Sequence, residues 1–289
     1  MIQITQRFNN LYGKLHLPEG RMDAIIIIAH GIGEHGGCYD EWAEKFVAGS
    51  IGVVTFDMRG HGLSPGIRGH AAINSLIADL AIIVGEVQKK FEDVPVVLFG
   101  HSMGGQIALS AANCSNIKVQ GVIASSPLLK LENPPSMWMT VLAKCASYTA
   151  PWITIRTGVK ASQLSQTGIV AKSTKTDPLL HKKISVKLFS DLLANGKAII
   201  SKKYLPCAPV LLMHGTADTL VSFKASQKFS KKNRKVILFK AWRDMRHDLL
   251  NDAGKEMVFR FVMKWIYVNV LKNGNVQNNS QMRRIVKKD

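Results

Sequence analysis

Three side chains far apart in this sequence have the types that acyl transfer needs. Ser102 supplies a hydroxyl nucleophile, His247 a base to take its proton, and Asp218 an acid to hold the base. Ser102 sits in Gly100-His101-Ser102-Met103-Gly104-Gly105, directly after the β-forming run Val96-Val97-Leu98-Phe99 and before the apolar, helix-competent run 106–112. A G-x-S-x-G turn between strand and helix strains the serine backbone and lifts its hydroxyl above the strand end, over the N-terminus of the helix. The pattern alone also fits a tight turn with no chemistry. Its setting between a strand and a helix favours the nucleophile.

The acid and the base are read from two later strand ends. Val210-Leu211-Leu212-Met213 has the look of a buried strand and runs into His214-Gly215-Thr216-Ala217-Asp218. Val236-Ile237-Leu238-Phe239 is a second, followed by Met245-Arg246-His247-Asp248. In a parallel sheet these ends share one edge with the end that carries Ser102, and ligands bind at such an edge. Asp244, Asp248 and Asp252 compete with Asp218, but they lie too close in sequence to His247 to occupy a separate strand end. Among the other histidines, His16 and His181 are expected at the surface, and His61 and His70 in a Gly-rich loop with structural roles. His30 and His214 are expected to support the backbone. His101 adjoins the nucleophile but is expected on the opposite side of the turn.

The reaction also needs donors for the developing oxyanion. One is the backbone N–H after the nucleophile, that of Met103. The other is expected from Ile32, in the loop His30-Gly31-Ile32-Gly33-Glu34-His35-Gly36-Gly37 that follows the strand Ala24–Ala29. A plain strand-to-helix loop is the competing reading of that glycine-rich segment.

Elements able to hold these groups alternate along the chain. Strands are expected at 24–29, 51–56, 95–99, 120–124, 209–213 and 235–239, and helices at 39–49, 73–91, 103–113, 222–231 and 254–271. Alternation of this kind predicts an α/β fold, a mostly parallel central sheet covered by helices on both faces, with an antiparallel hairpin at 2–17. It stops between Ser126 and Cys207, where Pro127, Pro134-Pro135 and Pro151 separate helix-like patches. Residues 1–125 and 208–271 are therefore expected to form the core and 126–207 an inserted helical cap. The polar, Asn-rich residues 272–289 are expected to be a disordered basic tail.

Six blocks now carry a resemblance: HGIGEH (His30 to His35), FDMRGHGLSPG (Phe56 to Gly66), FGHSMGG (Phe99 to Gly105), SSP (Ser125 to Pro127), HGTADTLV (His214 to Val221) and RHDLLND (Arg246 to Asp252). In order and spacing over residues 10 to 270 the chain resembles the monoacylglycerol lipase-type α/β-hydrolases, a group that also holds bacterial lysophospholipases. The resemblance implies Ser102, Asp218 and His247 as triad and the Ile32 and Met103 amides as oxyanion hole. It also implies a substrate such as an acylglycerol or lysophospholipid, and chemistry without cofactor or metal. Two positions depart from animal monoacylglycerol lipases. Thr174 stands where a tyrosine precedes Asp177-Pro178, and Val221 where a cysteine follows the acid.

Composition adds a charge to explain. The formal net charge is +18, with 38 Lys and Arg against 20 Asp and Glu. Residues 127–206 hold 12 basic and 3 acidic residues, a surplus of +9, and 272–289 hold 5 and 1, a surplus of +4. Two readings stand. The cap and tail steer the protein to anionic membrane, each Lys or Arg near the surface being worth about 1 kcal/mol, or the charge only keeps it soluble. Nucleic acid is not an expected partner, because aromatics are not interleaved with the basic residues. In the cap, Met137, Trp138, Val141 and Leu142 recur at helical spacing and are expected to line an acyl channel or dip into a lipid interface. Met1–Arg7 has no signal-like apolar stretch, and the four cysteines follow no disulfide or zinc spacing, so a reduced, cytoplasmic protein is expected. The combined expectation is a serine esterase acting on single-chain acyl lipids. A short-chain carboxylesterase, a peptidase and a non-catalytic member of the same fold are the other readings.

Overall fold

Six strands of the central sheet run parallel, and their shared edge is where the candidate site forms. In the computed structural model, which describes residues 1–114, 117–201 and 204–272, the strands are β1 (Ile2–Phe8), β2 (Leu11–Leu17), β3 (Ala24–Ala29), β4 (Ile51–Phe56), β5 (Val96–His101), β6 (Gly121–Ser125), β7 (Thr154–Arg156), β8 (Lys183–Ser185), β9 (Val210–Gly215) and β10 (Ile237–Trp242). Eight of them form one sheet in the order β1-β2-β4-β3-β5-β6-β9-β10; β7 and β8 form a separate two-stranded ribbon. β1 and β2 pair antiparallel, and β2 joins β4 antiparallel. The hairpin between them turns on Asn9 and Asn10, both at positive φ, a conformation that asparagine tolerates and that a two-residue hairpin turn requires.

β3, β4 and β5 are buried at every position. Strands covered on both faces need apolar side chains on both, which is why these runs do not alternate with polar residues. Alternate residues of β3 serve opposite layers. Ile25 and Ile27 pack on one side with Leu80, Ile83 and Ile107; Ile26 and Ile28 pack on the other with Trp42, Phe46 and Val262. The first layer belongs to α2 (Ile73–Lys90) and α3 (Met103–Ala112), the second to α1 (Asp40–Ala48) and α9 (Lys255–Ile266). The last helix was expected to run to 271. It keeps α-geometry to Ile266 and continues as a π-helical turn over Tyr267–Leu271, with Lys272 N–H donating to Tyr267 O.

Between β6 and β9 the chain leaves the sheet, forming α4 (Met137–Thr149), the β7–β8 ribbon, α5 (Ala161–Leu164), α6 (Ile169–Thr176) and α7 (Val186–Ser201) over the C-terminal strand edge. α8 (Phe223–Lys232) follows β9. The ribbon is tied to the core by Ser185 N–H, which donates to Gly69 O at 2.8 Å. Of the expected tail, residues 273–289 lie outside the described residues. Among the described residues no helix is long and apolar enough to cross a membrane.

Candidate active site

Ser102 closes β5 with φ 53° and ψ −112°, a left-handed conformation that costs a non-glycine residue on the order of 1–3 kcal/mol. The neighbourhood holds it there. Its N–H donates to Ser125 O at 2.9 Å, and its carbonyl accepts from Gln106 N at 3.1 Å and Leu128 N at 3.0 Å. A β-carbon at Gly104 would stand 2.0 Å from Ala29 O, so only glycine lets α3 come this close to β3. β3 and β5 are neighbours in the sheet, yet the chain leaves them in opposite directions, to β4 on one side and β6 on the other. The crevice above this reversal is where an open α/β sheet binds ligands.

Asp218, three residues past β9, is saturated with donors. Oδ2 faces His247 Nδ1 at 2.7 Å and His214 Nε2 at 3.0 Å, while Oδ1 accepts from the Leu220 and Val221 amides at 2.8 and 3.0 Å. Burial pushes this carboxyl up, but the His247 charge and the imidazole hydrogen bonds outweigh it and hold the group well below the usual carboxylate range. An acid so placed accepts hydrogen bonds and takes no proton. It fixes His247 with a proton on Nδ1, leaving Nε2 as the basic nitrogen. Burial pulls the His247 pKa down; the Asp218 charge and hydrogen bond outweigh it and leave the value raised.

Two further histidines lie at this site. His214, four residues before Asp218, grips it directly and is itself held at Nδ1 by Ser226 Oγ at 2.9 Å. His101 was expected on the far side of the turn. Instead its ring lies 4.9 Å from that of His247, and burial lowers its pKa. His16 and His181 were expected at the surface. His16 is buried against Thr55, and His181 lines the cavity beneath the cap.

The loop after β3 carries a second buried carboxylate, Glu34, that sequence reasoning passed over. Its Oε2 accepts from Gly31 N at 2.8 Å and from Tyr39 Oη at 2.7 Å. Burial would raise its pKa, but His101, Tyr39 and the Gly31 N–H together lower it. With the Gly31 amide engaged by Glu34, the Ile32 amide has no partner among the described residues, and Ile32 lines the same cavity as Ser102 and His247. Met103 opens α3, and the amides of a helix's first turn have no intrahelical acceptor. His30 steadies the loop by accepting from Met58 N at 2.9 Å.

The competing acids do other work. Asp252 accepts from Gln166 N at 2.8 Å and Arg246 N at 2.6 Å, fastening the cap to the loop that carries His247. Asp244 is a turn residue at φ 58°. Asp248 lies buried beside Asn251 at 2.8 Å, and burial raises its pKa.

Core and cap enclose a cavity of about 990 Å³, at the upper end for small-ligand sites. Ser102, His247 and Ile32 line its floor, and Leu128, Ile155, Val170, Leu180, Phe189 and Leu192 much of its wall. The cap also grips the loop after β3. His35 Nε2 lies 2.8 Å from Asp177 Oδ2, and His181 N–H donates to Gly33 O at 3.0 Å. Met137, Trp138, Val141 and Leu142 were expected to line an acyl channel or dip into a lipid interface. They do not reach this cavity; they lie on the outer face of α4 around a separate shallow groove, with Met137 84% and Trp138 67% exposed. Helical spacing put them on one face, but it could not say whether that face turns inward.

Comparison with known proteins agrees with this architecture. Residues 20–254 match the family model described as serine aminopeptidase, S33. The rat protein named monoglyceride lipase is 34% identical over 222 residues, 75% of this chain and 72% of the relative. An abhydrolase domain-containing protein of Dictyostelium discoideum is 29% identical over 93% of this chain, which spans only 28% of that longer relative. The crystal structure of Paleococcus ferrophilus monoacylglycerol lipase superposes with a TM-score of 0.80 at 29% identity, covering 90% of this chain and 99% of that one.

Proposed function

The chain belongs to the serine aminopeptidase, S33 family, as a carboxylic ester hydrolase of the monoacylglycerol lipase type, and we propose that it cleaves the ester bond of a monoacylglycerol through an acyl-enzyme on Ser102. The observation that carries this reading is the Asp218–His247 pair at 2.7 Å opening on the same cavity as the strained Ser102. His247 Nε2 removes the Ser102 proton as Oγ attacks the ester carbonyl. The Ile32 and Met103 amides receive the oxyanion. His247 then protonates the departing glycerol oxygen and next activates the water that releases the fatty acid. No step calls for a metal or cofactor.

An ester of one acyl chain suits the cavity better than a peptide. An aminopeptidase needs a free acid for the substrate's terminal ammonium. The carboxylates lining the cavity, Glu34, Glu41, Asp177 and Asp248, are each already engaged by protein donors. The outer face of α4 supports a second element of the reading, peripheral contact with membrane. Exposed Met137, Trp138, Val141 and Leu142 would bury in a lipid interface, each contributing about 1.5–3 kcal/mol if fully withdrawn from water. A fluorophosphonate probe tests the nucleophile. It should label the wild-type protein and not Ser102→Ala, and the wild type should release fatty acid from a long-chain monoacylglycerol. Labelling that persists in Ser102→Ala overturns the assignment.

A further inference from the structure

The loop after β3 is shaped by one side chain that reaches back three residues. Glu34 N–H donates to Gly31 O at 3.3 Å, and Glu34 Oε2 accepts from Gly31 N at 2.8 Å. The two residues thus exchange two hydrogen bonds, one through backbone and one through the carboxylate, and close a four-residue turn over Ile32 and Gly33. Gly33 is at φ 76°, and Ile32 is not at positive φ. That is the pattern of a type II turn, which needs the left-handed conformation at its third residue and favours glycine there. Gly31 O is held a second time. Met58 N–H donates to His30 Nε2, so His30 Nδ1 carries the proton and donates to Gly31 O at 2.7 Å.

The carboxylate is built in as a fixed acceptor. Oε2 takes a second hydrogen bond from Tyr39 Oη at 2.7 Å, and Tyr39, directly before α1, is itself buried. Burial and the Glu34 charge push the Tyr39 pKa well above its ordinary value, so the phenol keeps its proton and donates it. Burial pushes the Glu34 carboxyl up, but His101, the Tyr39 hydroxyl and the Gly31 N–H outweigh it, and the group stays ionised.

This clamp decides which amide is left over. Gly31 N–H is taken by the carboxylate. The next amide, that of Ile32, has no acceptor among the described residues, and Ile32 lines the cavity with Ser102 and His247. An oxyanion donor helps the reaction only where its N–H meets the position that the charged oxygen takes. A turn with one of its two closing bonds removed could rock, and the reaction would suffer before the fold did. Resting on the reading of Ser102 as nucleophile and the Ile32 amide as oxyanion donor, we propose that Glu34 is a positioning residue for ester hydrolysis, clamping Gly31 so that the Ile32 N–H is fixed for the oxyanion formed as Ser102 attacks. Glu34 transfers no proton; it acts through the turn.

The test compares the wild-type full chain with Glu34→Gln, Glu34→Asp and Glu34→Ala. Gln keeps an acceptor oxygen at the same reach without the charge. Asp keeps the charge on a side chain one methylene shorter, which cannot close the same turn. The substrate is p-nitrophenyl octanoate, and two inhibitors are titrated beside it. One is a long-chain trifluoromethyl ketone: Ser102 Oγ adds to its carbonyl carbon, the hydroxyl proton passes to His247, and the carbonyl oxygen becomes an oxyanion. The other is hexadecyl glyceryl ether, which has no carbonyl to polarise. Glu34→Ala should lose about 10²-fold in kcat, with KM within about twofold of the wild type. Its affinity for the ketone should fall in step with kcat/KM, and its affinity for the ether should hold. Gln should recover most of the loss and Asp little of it. Should the Ala variant fail to fold, as judged by circular dichroism, the comparison of Gln with Asp decides. Asp matching or exceeding Gln would overturn the proposal, because charge and not the Gly31 bond would then be what matters. So would ketone and ether weakening alike, the mark of a site loosened in general, or an Ala variant that turns over at the wild-type rate. A wild type that takes no fluorophosphonate label at Ser102 would instead overturn the reading of the nucleophile.

Discussion

The floor of the cavity and its roof are built on opposite terms. On the floor, the carboxylates have internal partners: Asp218 has four donors, Glu34 two, and His247 and His214 share one carboxylate oxygen. In the cap, Met137 and Trp138 stand largely in solvent. The floor is organised for chemistry that must not move. Its partners are internal and its geometry is fixed before substrate arrives. On the reading proposed above, the roof faces a partner outside the chain, a lipid surface on the outer side of α4. Substitutions on the floor should therefore change turnover, and substitutions on the roof should change what is bound and where.

The largest effect should come from the floor. Ser102→Ala should cut ester hydrolysis by about 10⁴-fold or more, leaving the small rate that binding and the oxyanion donors support. Unchanged turnover in folded mutant protein, checked by circular dichroism, would collapse the contrast at its centre. Next comes Asp218→Asn, which should cost about 10⁴-fold by favouring the wrong His247 tautomer. Asp244→Asn should leave turnover close to wild type, and Asp252→Asn should lower thermal stability more than it slows the chemistry, because Asp252 holds cap and His247 loop together. A greater kinetic loss at Asp252 than at Asp218 would reverse the choice of acid.

The pH dependence sharpens the same contrast. The base works when His247 is neutral, and its pKa is raised because the Asp218 charge and hydrogen bond outweigh burial. The acidic limb of kcat/KM should therefore fall off with a midpoint above about 6.5, the ordinary histidine value. A midpoint below that value would mean that burial, not Asp218, controls the imidazole. The smallest effect should lie on the roof. Trp138→Ala should leave hydrolysis of a soluble short-chain ester unchanged and weaken binding to neutral vesicles severalfold, measured by co-sedimentation. A loss of soluble-ester turnover in that variant would place Trp138 in the catalytic machinery.

The floor was largely legible in the sequence because its chemistry is tied to strand ends. Apolar runs announced β3, β5, β9 and β10 to within three residues, and Ser102, Asp218 and His247 follow three of them at short range. The supporting groups were harder to see. His214 lies four residues from Asp218, but a loop has no fixed periodicity from which to read that pairing. Glu34 and His101 come together only in the folded sheet, because β3 and β5 become neighbours despite the elements between them. The roof was legible in outline and misleading in direction. Met137, Trp138, Val141 and Leu142 do share one face of α4, yet apolar side chains at helical spacing look the same whether they face a cavity, a core or a membrane. The ribbon of β7 and β8 went unread, since three-residue strands leave no periodic trace.

One contact between roof and floor falls on the loop that carries Ile32. His181 N–H reaches Gly33 O, and a β-carbon at Gly33, which sits at φ 76°, would stand 2.1 Å from His181 O. His35, in the same loop, is bonded to Asp177 at the end of α6. A lid hinged elsewhere could swing wide and leave the catalytic floor untouched. Here, lifting the segment 177–185 would pull on the residues flanking the Ile32 amide. Admission of substrate past this segment and the setting of the proposed oxyanion donor are therefore joined through one stretch of backbone.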